Sequence, residues 1–224
     1  MIHALIAASL ALTSAPAQAP ATDCSRVKCL ALTFDDGPGA HTPALLKTLS
    51  KARAKATFFL VGKRVEAHPE IAKQIVAKGH AIGNHTYSHA ALPAHSDNEI
   101  DEELKLAQEA IEKATGQRPT MFRPPYGQSD ERVLGVAYQN ELSQILWTGT
   151  TLDWSLRDAK KIKAAVLRLA KRDGVILMHD VVPQTVQVMP QILKELKKRG
   201  YHLVTVPTLL RGKGGPAAGE SYFR

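Results

Sequence analysis

Two aspartates stand side by side, Asp35 and Asp36, in the stretch LALTFDDGPG, where an apolar run stops and a glycine and a proline follow at once. Two histidines, His85 and His89, stand four residues apart in NHTYSH. Other apolar runs end in Arg123 and Tyr126 (RPPYG), in Asp153 and Trp154 (LDWS) and in His179 (LMHD). Each has a plain structural use. Adjacent aspartates before Gly-Pro make a turn, RPPYG makes a rigid loop, and single histidines sit satisfied in many cores. As a set they offer more, because two imidazoles and one carboxylate can hold a catalytic zinc with one position left for water. On a helix or helical turn, the i, i+4 spacing of His85 and His89 puts both rings on one face.

The elements that would position these residues are legible as an alternation. Short β-rich runs occur at 29–34, 57–61, 80–84, 120–123, 143–148, 174–178 and 201–206, and most of the gaps between them carry apolar residues at helical spacing. The helical stretches are 43–53, 69–78, 98–115, 158–172 and 185–199. Ser96 or Asp97 is placed to cap the third of them, and Gly116 to end it. Strands alternating with helices imply a parallel α/β sheet, and continuous apolar runs suit strands buried on both faces. An open doubly wound sheet and a barrel both satisfy this pattern. Either fold gathers its chemistry at the C-terminal strand ends, where these residues fall. Residues 211–224, with RGKGGPAAG, read as a flexible tail.

Composition narrows the partners. The 224 residues suffice for one domain with a sizeable core. The net charge of +8 serves solubility or attraction to an anionic polymer. With aromatic residues at 5% and no nucleic-acid motif, a base-stacking surface is not expected. Residues 1–19, apolar and then rich in Ala, Ser and Pro with Ala-x-Ala sites, read as a signal peptide, followed by a lead at 20–28. The apolar run is short for a membrane span. Export suits a disulfide between Cys24 and Cys29. The expected mature protein is a secreted or cell-wall-associated monomer without a membrane span.

The motif order TFDDGP (33–38), HTYSH (85–89), RPPYG (123–127), LDW (152–154) and LMH (177–179) resembles that of the polysaccharide deacetylases, carbohydrate esterase family 4. The resemblance implies a distorted (β/α) barrel of about seven parallel strands over a catalytic domain at 29–210, with the site at the C-terminal strand ends. It implies one divalent metal ion, zinc before cobalt, on Asp36, His85 and His89. Asp35 would be the general base, oriented by Arg123. The backbone N–H of Tyr126 would help hold the oxyanion, a contribution of about 10²–10³ in rate for one such donor. His179 would be the general acid, paired with Asp153, while Trp154 and Leu177 wall a pocket for the acetyl methyl. Many family members carry another aspartate three residues before the Asp-Trp pair, where this chain has Thr150. The implied partner is an acetylated glycan. Peptidoglycan comes first, chitin or chitooligosaccharide second and acetylxylan third. An inactive carbohydrate-binding relative is the reading from a different class.

Overall fold

The structure, a computed structural model, describes residues 22–223, so the expected leader at 1–19 lies outside the described residues. In chain order the elements are β1 (Cys29–Gly37), α1 (Thr42–Lys51), β2 (Thr57–Leu60), α2 (Gly62–Ala67), α3 (Pro69–Ala77), β3 (Ala81–Asn84), α4 (Asp97–Thr115), β4 (Met121–Phe122) and α5 (Glu131–Gln139). Then follow β5 (Ser143–Ile145), β6 (Gly149–Thr150), α6 (Asp153–Leu156), α7 (Ala159–Leu169), β7 (Gly174–His179), α8 (Pro183–Lys198), β8 (His202–Val204), α9 (Val206–Leu210) and β9 (Ser221–Tyr222). All seven expected runs form strands. Neither β6 nor β9 was expected, since two residues give no period to detect.

One parallel sheet runs β6-β7-β1-β2-β3-β4-β5-β9, with β8 pairing the start of β1. Its two ends do not pair, so the barrel is open and curled. β1 is the central strand, bonded to β2, β7 and β8. Its side chains alternate as strand geometry requires. Leu30, Leu32 and Phe34 pack outward with Leu45, Leu46, Ile192 and Leu196 of the helical layer. Cys29 and Ala31 pack inward with Phe59, Met121, Ile145 and Val175.

Local sequence sets the helix ends. The Ser96 side chain accepts from Glu99 N–H while the Glu99 carboxylate accepts from Ser96 N–H, which closes a capping box on α4. Gly116 ends that helix in the left-handed conformation, φ 71°. A disulfide joins Cys24 to Cys29, tying the N-terminal lead to β1.

The expectation of a flexible tail from residue 211 is corrected. Gly214, Gly215 and Gly219 adopt positive φ and turn the chain back, so these glycines serve turns inside the fold. β9 then bonds alongside β5, and Tyr222 and Phe223 pack on the inner cluster. Truncation before Gly214 should therefore lower the unfolding free energy by about 2 kcal/mol or more, the scale for exposing aromatic surface. Urea unfolding measures this, and a dispensable tail would leave the midpoint unmoved.

Candidate active site

Strand parity builds half of the site. Thr33 and Asp35 continue the inward row of β1, and in β7 Leu177 and His179 continue the inward row that Val175 begins. The register sets Asp35 directly beside His179. Parity alone would turn Asp36 away, but its backbone is left-handed, φ 70°, and its carboxylate lines the same cavity as Asp35. The two neighbours therefore reach one mouth by different routes.

Arg123 lies just beyond β4 and is completely buried. Its guanidinium donates to Asp35 Oδ1 (2.8 Å), Thr33 Oγ1 (2.8 Å) and the carbonyls of Ile145 (2.9 Å) and Leu146 (2.8 Å). Phe59 lies 4.1 Å beneath it. A buried charge this fully bonded holds the Asp35 carboxylate in one place.

The i, i+4 histidine pair is brought together by a loop, not by the face of a helix. The chain from His85 to Ala91 follows β3 without helical structure, with left-handed Thr86 (φ 63°) and His89 (φ 67°). These turns bring His85 Nε2 to 3.4 Å and His89 Nε2 to 3.1 Å from Asp36 Oδ1. His85 Nδ1 lies 2.7 Å from the Arg123 carbonyl oxygen, which can only accept. Nδ1 therefore donates to that carbonyl, and Nε2 is the ring atom turned to Asp36.

The three side chains offer ligand atoms all within 4.8 Å of one another. Asp36 Oδ1 is buried and has no hydrogen-bond partner despite its two imidazole neighbours. A buried carboxylate oxygen left without a hydrogen bond beside two imidazole nitrogens fits a divalent cation. Burial opposes charge on Asp36, but the two imidazoles outweigh it and hold the carboxyl far below the usual range.

At the end of β7, His179 Nδ1 donates to Asp153 Oδ1 at 2.7 Å. The other Asp153 oxygen accepts from His179 N–H (2.8 Å) and Thr185 Oγ1 (2.6 Å), so the buried carboxylate is fully bonded. Burial works against an imidazolium here. The Asp153 hydrogen bond and charge, with Asp35 and Asp36 beyond, prevail and push the His179 pKa up to about 9.

These groups line one cavity of about 440 Å³, together with Tyr126, Trp147, Thr150, Trp154 and Leu177. Tyr126 has left-handed backbone, φ 62°, and its ring packs edge-on against His89. Trp154 is 56% exposed and Leu177 is 7% exposed, so one wall is open and the other fixed. Thr150 Oγ1 accepts from Leu152 N–H at 3.3 Å and shapes the turn before Asp153; it leaves the Asp153–His179 pair intact.

Sequence reasoning missed several supports. Thr33, Thr185 and Trp147 looked like ordinary strand, helix and loop residues. Asp180, fully buried, accepts from the Thr42 hydroxyl, which in turn accepts from Gly39 N–H at 2.9 Å. This chain pins the DDGPG turn to the end of β7. Gly37 permits it, since a Cβ there would come within 2.5 Å of the Asp180 carboxylate. A second acid beside His179 was the one signal in the sequence.

The polysaccharide deacetylase family model matches residues 22–145, which include the first three motifs. A peptidoglycan-N-acetylglucosamine deacetylase of Bacillus cereus is 38% identical over 192 residues, covering 83% of this chain and 90% of that protein. A chitooligosaccharide deacetylase of Bradyrhizobium is 32% identical, covering 84% and 93%. The solved structure of T48 deacetylase with substrate superimposes with a TM-score of 0.86 at 39% identity, over 90% of this chain and 100% of that one. The chain spans 41% of the length of a longer relative from Listeria monocytogenes.

The His179 environment makes a direct prediction. In metal-free protein its imidazole should titrate near 9 by NMR. Asp153→Asn should bring it down towards the ordinary 6.5. Because the folded pKa lies above the ordinary value, this pair should stabilise the fold fully below about 6.5 and lose that contribution as pH rises through about 9. An unmoved titration in folded Asp153→Asn would remove Asp153 as the cause.

Proposed function

Because the chain belongs to the polysaccharide deacetylase family, carbohydrate esterase family 4, and is an enzyme of that class, we propose that it removes acetyl groups from the N-acetylglucosamine residues of peptidoglycan. The observation that carries this reading is the in-register pair Asp35 and His179, set side by side in oppositely biased surroundings. Arg123 holds the Asp35 side chain by a 2.8 Å bond on one side, and Asp153 favours an imidazolium at His179 on the other. A hydrolase that needs a base and an acid at once requires such a split.

In this reading Asp35 takes a proton from the attacking water as its oxygen bonds to the acetyl carbon. His179 gives a proton to the leaving nitrogen as the C–N bond breaks. The Tyr126 backbone N–H supports the oxyanion, and Trp154 and Leu177 confine the acetyl methyl. A divalent ion on Asp36, His85 and His89 would add Lewis acidity and bring the pKa of a water to about 7. Zinc suits two nitrogens and an oxygen with open positions.

Peptidoglycan is favoured as substrate by the Bacillus cereus relative and by the net charge of +8, which suits an anionic wall. Chitooligosaccharide is the second reading, favoured by the Bradyrhizobium relative. Action at the wall implies export through residues 1–19, in keeping with the Cys24–Cys29 disulfide. The catalytic domain we propose runs from β1 through β9, since β9 belongs to the sheet.

Acetate release from intact peptidoglycan, chitopentaose and acetylxylan, assayed side by side with and without chelator, tests the substrate. Peptidoglycan should be the best of the three and chelation should abolish release. Preference for chitopentaose would replace the wall reading, and no release from any would favour an inactive glycan-binding role.

The adjacent aspartates should also separate. Asp35→Asn should lower kcat by about 10²–10⁴, the scale of a lost general base, and keep its metal. Asp36→Ala should lose metal and activity together. Equal metal loss in both would refute the division of labour.

A further inference from the structure

Asp36 and His85 are each fixed by their own surroundings. Asp36 leaves the central strand in a turn pinned by Thr42 and Asp180, and His85 is bonded to the Arg123 carbonyl. His89 is different. Its side chain is 28% exposed, its ring neighbours among the described residues are His85 and Tyr126, and its backbone is left-handed. Its place depends on the course of the chain between residues 85 and 89.

That course is unfavourable in itself, since Thr86 is β-branched and left-handed. It must be held from outside. Asn84 Oδ1 accepts from Thr86 N–H, and Asn84 Nδ2 donates to the Leu104 carbonyl in α4. The neighbouring residue in that helix does more. Glu103 Oε2 accepts from Tyr87 N–H (2.9 Å) and Ser88 N–H (2.8 Å), and Oε1 accepts from Ser88 Oγ (2.7 Å). Three donors from the two residues immediately before His89 thus converge on one carboxylate. Glu103 has no cation within ion-pair distance among the described residues, so these donors are what neutralise it. Among the described residues, none of the other six acidic residues of α4 hydrogen-bonds to this loop.

We infer that Glu103 is a positioning residue for the metal centre: its carboxylate holds the 85–89 loop so that His89 meets the ion. The inference rests on the reading of Asp36, His85 and His89 as ligands. Charge-assisted bonds to two successive N–H groups resist the loop's relaxation to ordinary backbone angles. Losing them lets His89 swing away and leaves two ligands. Outer partners of this kind carry about 10–100-fold in metal affinity.

The test is zinc affinity of metal-free protein, measured by competition with a chelating indicator. Glu103→Ala should weaken zinc by about 10–100-fold, and activity should return at saturating zinc. Glu103→Gln keeps one acceptor oxygen, so it should fall between the two and serves if the alanine form does not fold. The decisive arm is a double-mutant cycle with His89→Ala. If Glu103 acts through His89, its removal should cost almost nothing further once His89 is gone; full additivity would mean a general structural role and overturn the inference. Wild-type affinity in folded Glu103→Ala would overturn it as well. Wild-type protein that takes up no zinc would instead overturn the ligand reading on which it rests.

Discussion

The ion pair of Arg123 and Asp35 is the constraint on which the rest of the site depends. Placing a guanidinium out of reach of water is costly unless its donors are matched. Here they meet Thr33, Asp35 and the carbonyls of Ile145, which ends β5, and Leu146, which follows it. One side chain thereby ties β1 to β5 across the interior of the curled sheet. Its own carbonyl accepts from His85 Nδ1, so the anchor of Asp35 also orients that ring.

A second consequence is the separation of proton affinities. Asp35 and His179 are neighbours across one strand pair, yet each faces a partner of the opposite tendency. Asp153 is held towards His179 because its other oxygen is occupied by a backbone N–H and by Thr185, which fixes the buried carboxylate in place. The result is a mouth where the imidazolium of His179 persists beside a carboxylate to a higher pH than an ordinary histidine would allow.

Local strain is concentrated where these groups meet. Of the ten non-glycine residues with positive φ among the described residues, five line or shape the cavity: Asp36, Thr86, His89, Tyr126 and Leu152. Such conformations persist only where surrounding contacts over-determine them. Two such sets of contacts are visible. Asp180, Thr42 and Gly39 hold the first turn, and Asn84 and Glu103 hold the second. Both draw on helices packed outside the sheet, so the outer layer does more than cover the strands.

Much of this was legible in the amino-acid sequence because it rests on short-range rules. The seven apolar runs, the capping box at Ser96 and the motif residues at strand ends follow from periodicity, side-chain chemistry and spacing. The same rules failed at particular places. The i, i+4 spacing of His85 and His89 would share a face on a helix, but the chain there is a loop with left-handed residues, bonded to Glu103 fifteen residues beyond Ser88. The glycines at 214, 215 and 219 suggested a tail, but pairing with β5 makes them turns. By itself the sequence determined the alternation of elements and the types of residue able to do acid–base and metal chemistry. Only the tertiary structure decided that Asp35 and His179 share a register, that Asp36 turns towards two imidazoles, and that Arg123, Asp153, Asp180 and Glu103 hold them so. Register and loop course depend on hydrogen bonds between residues far apart in the chain, and no local pattern encodes those partners.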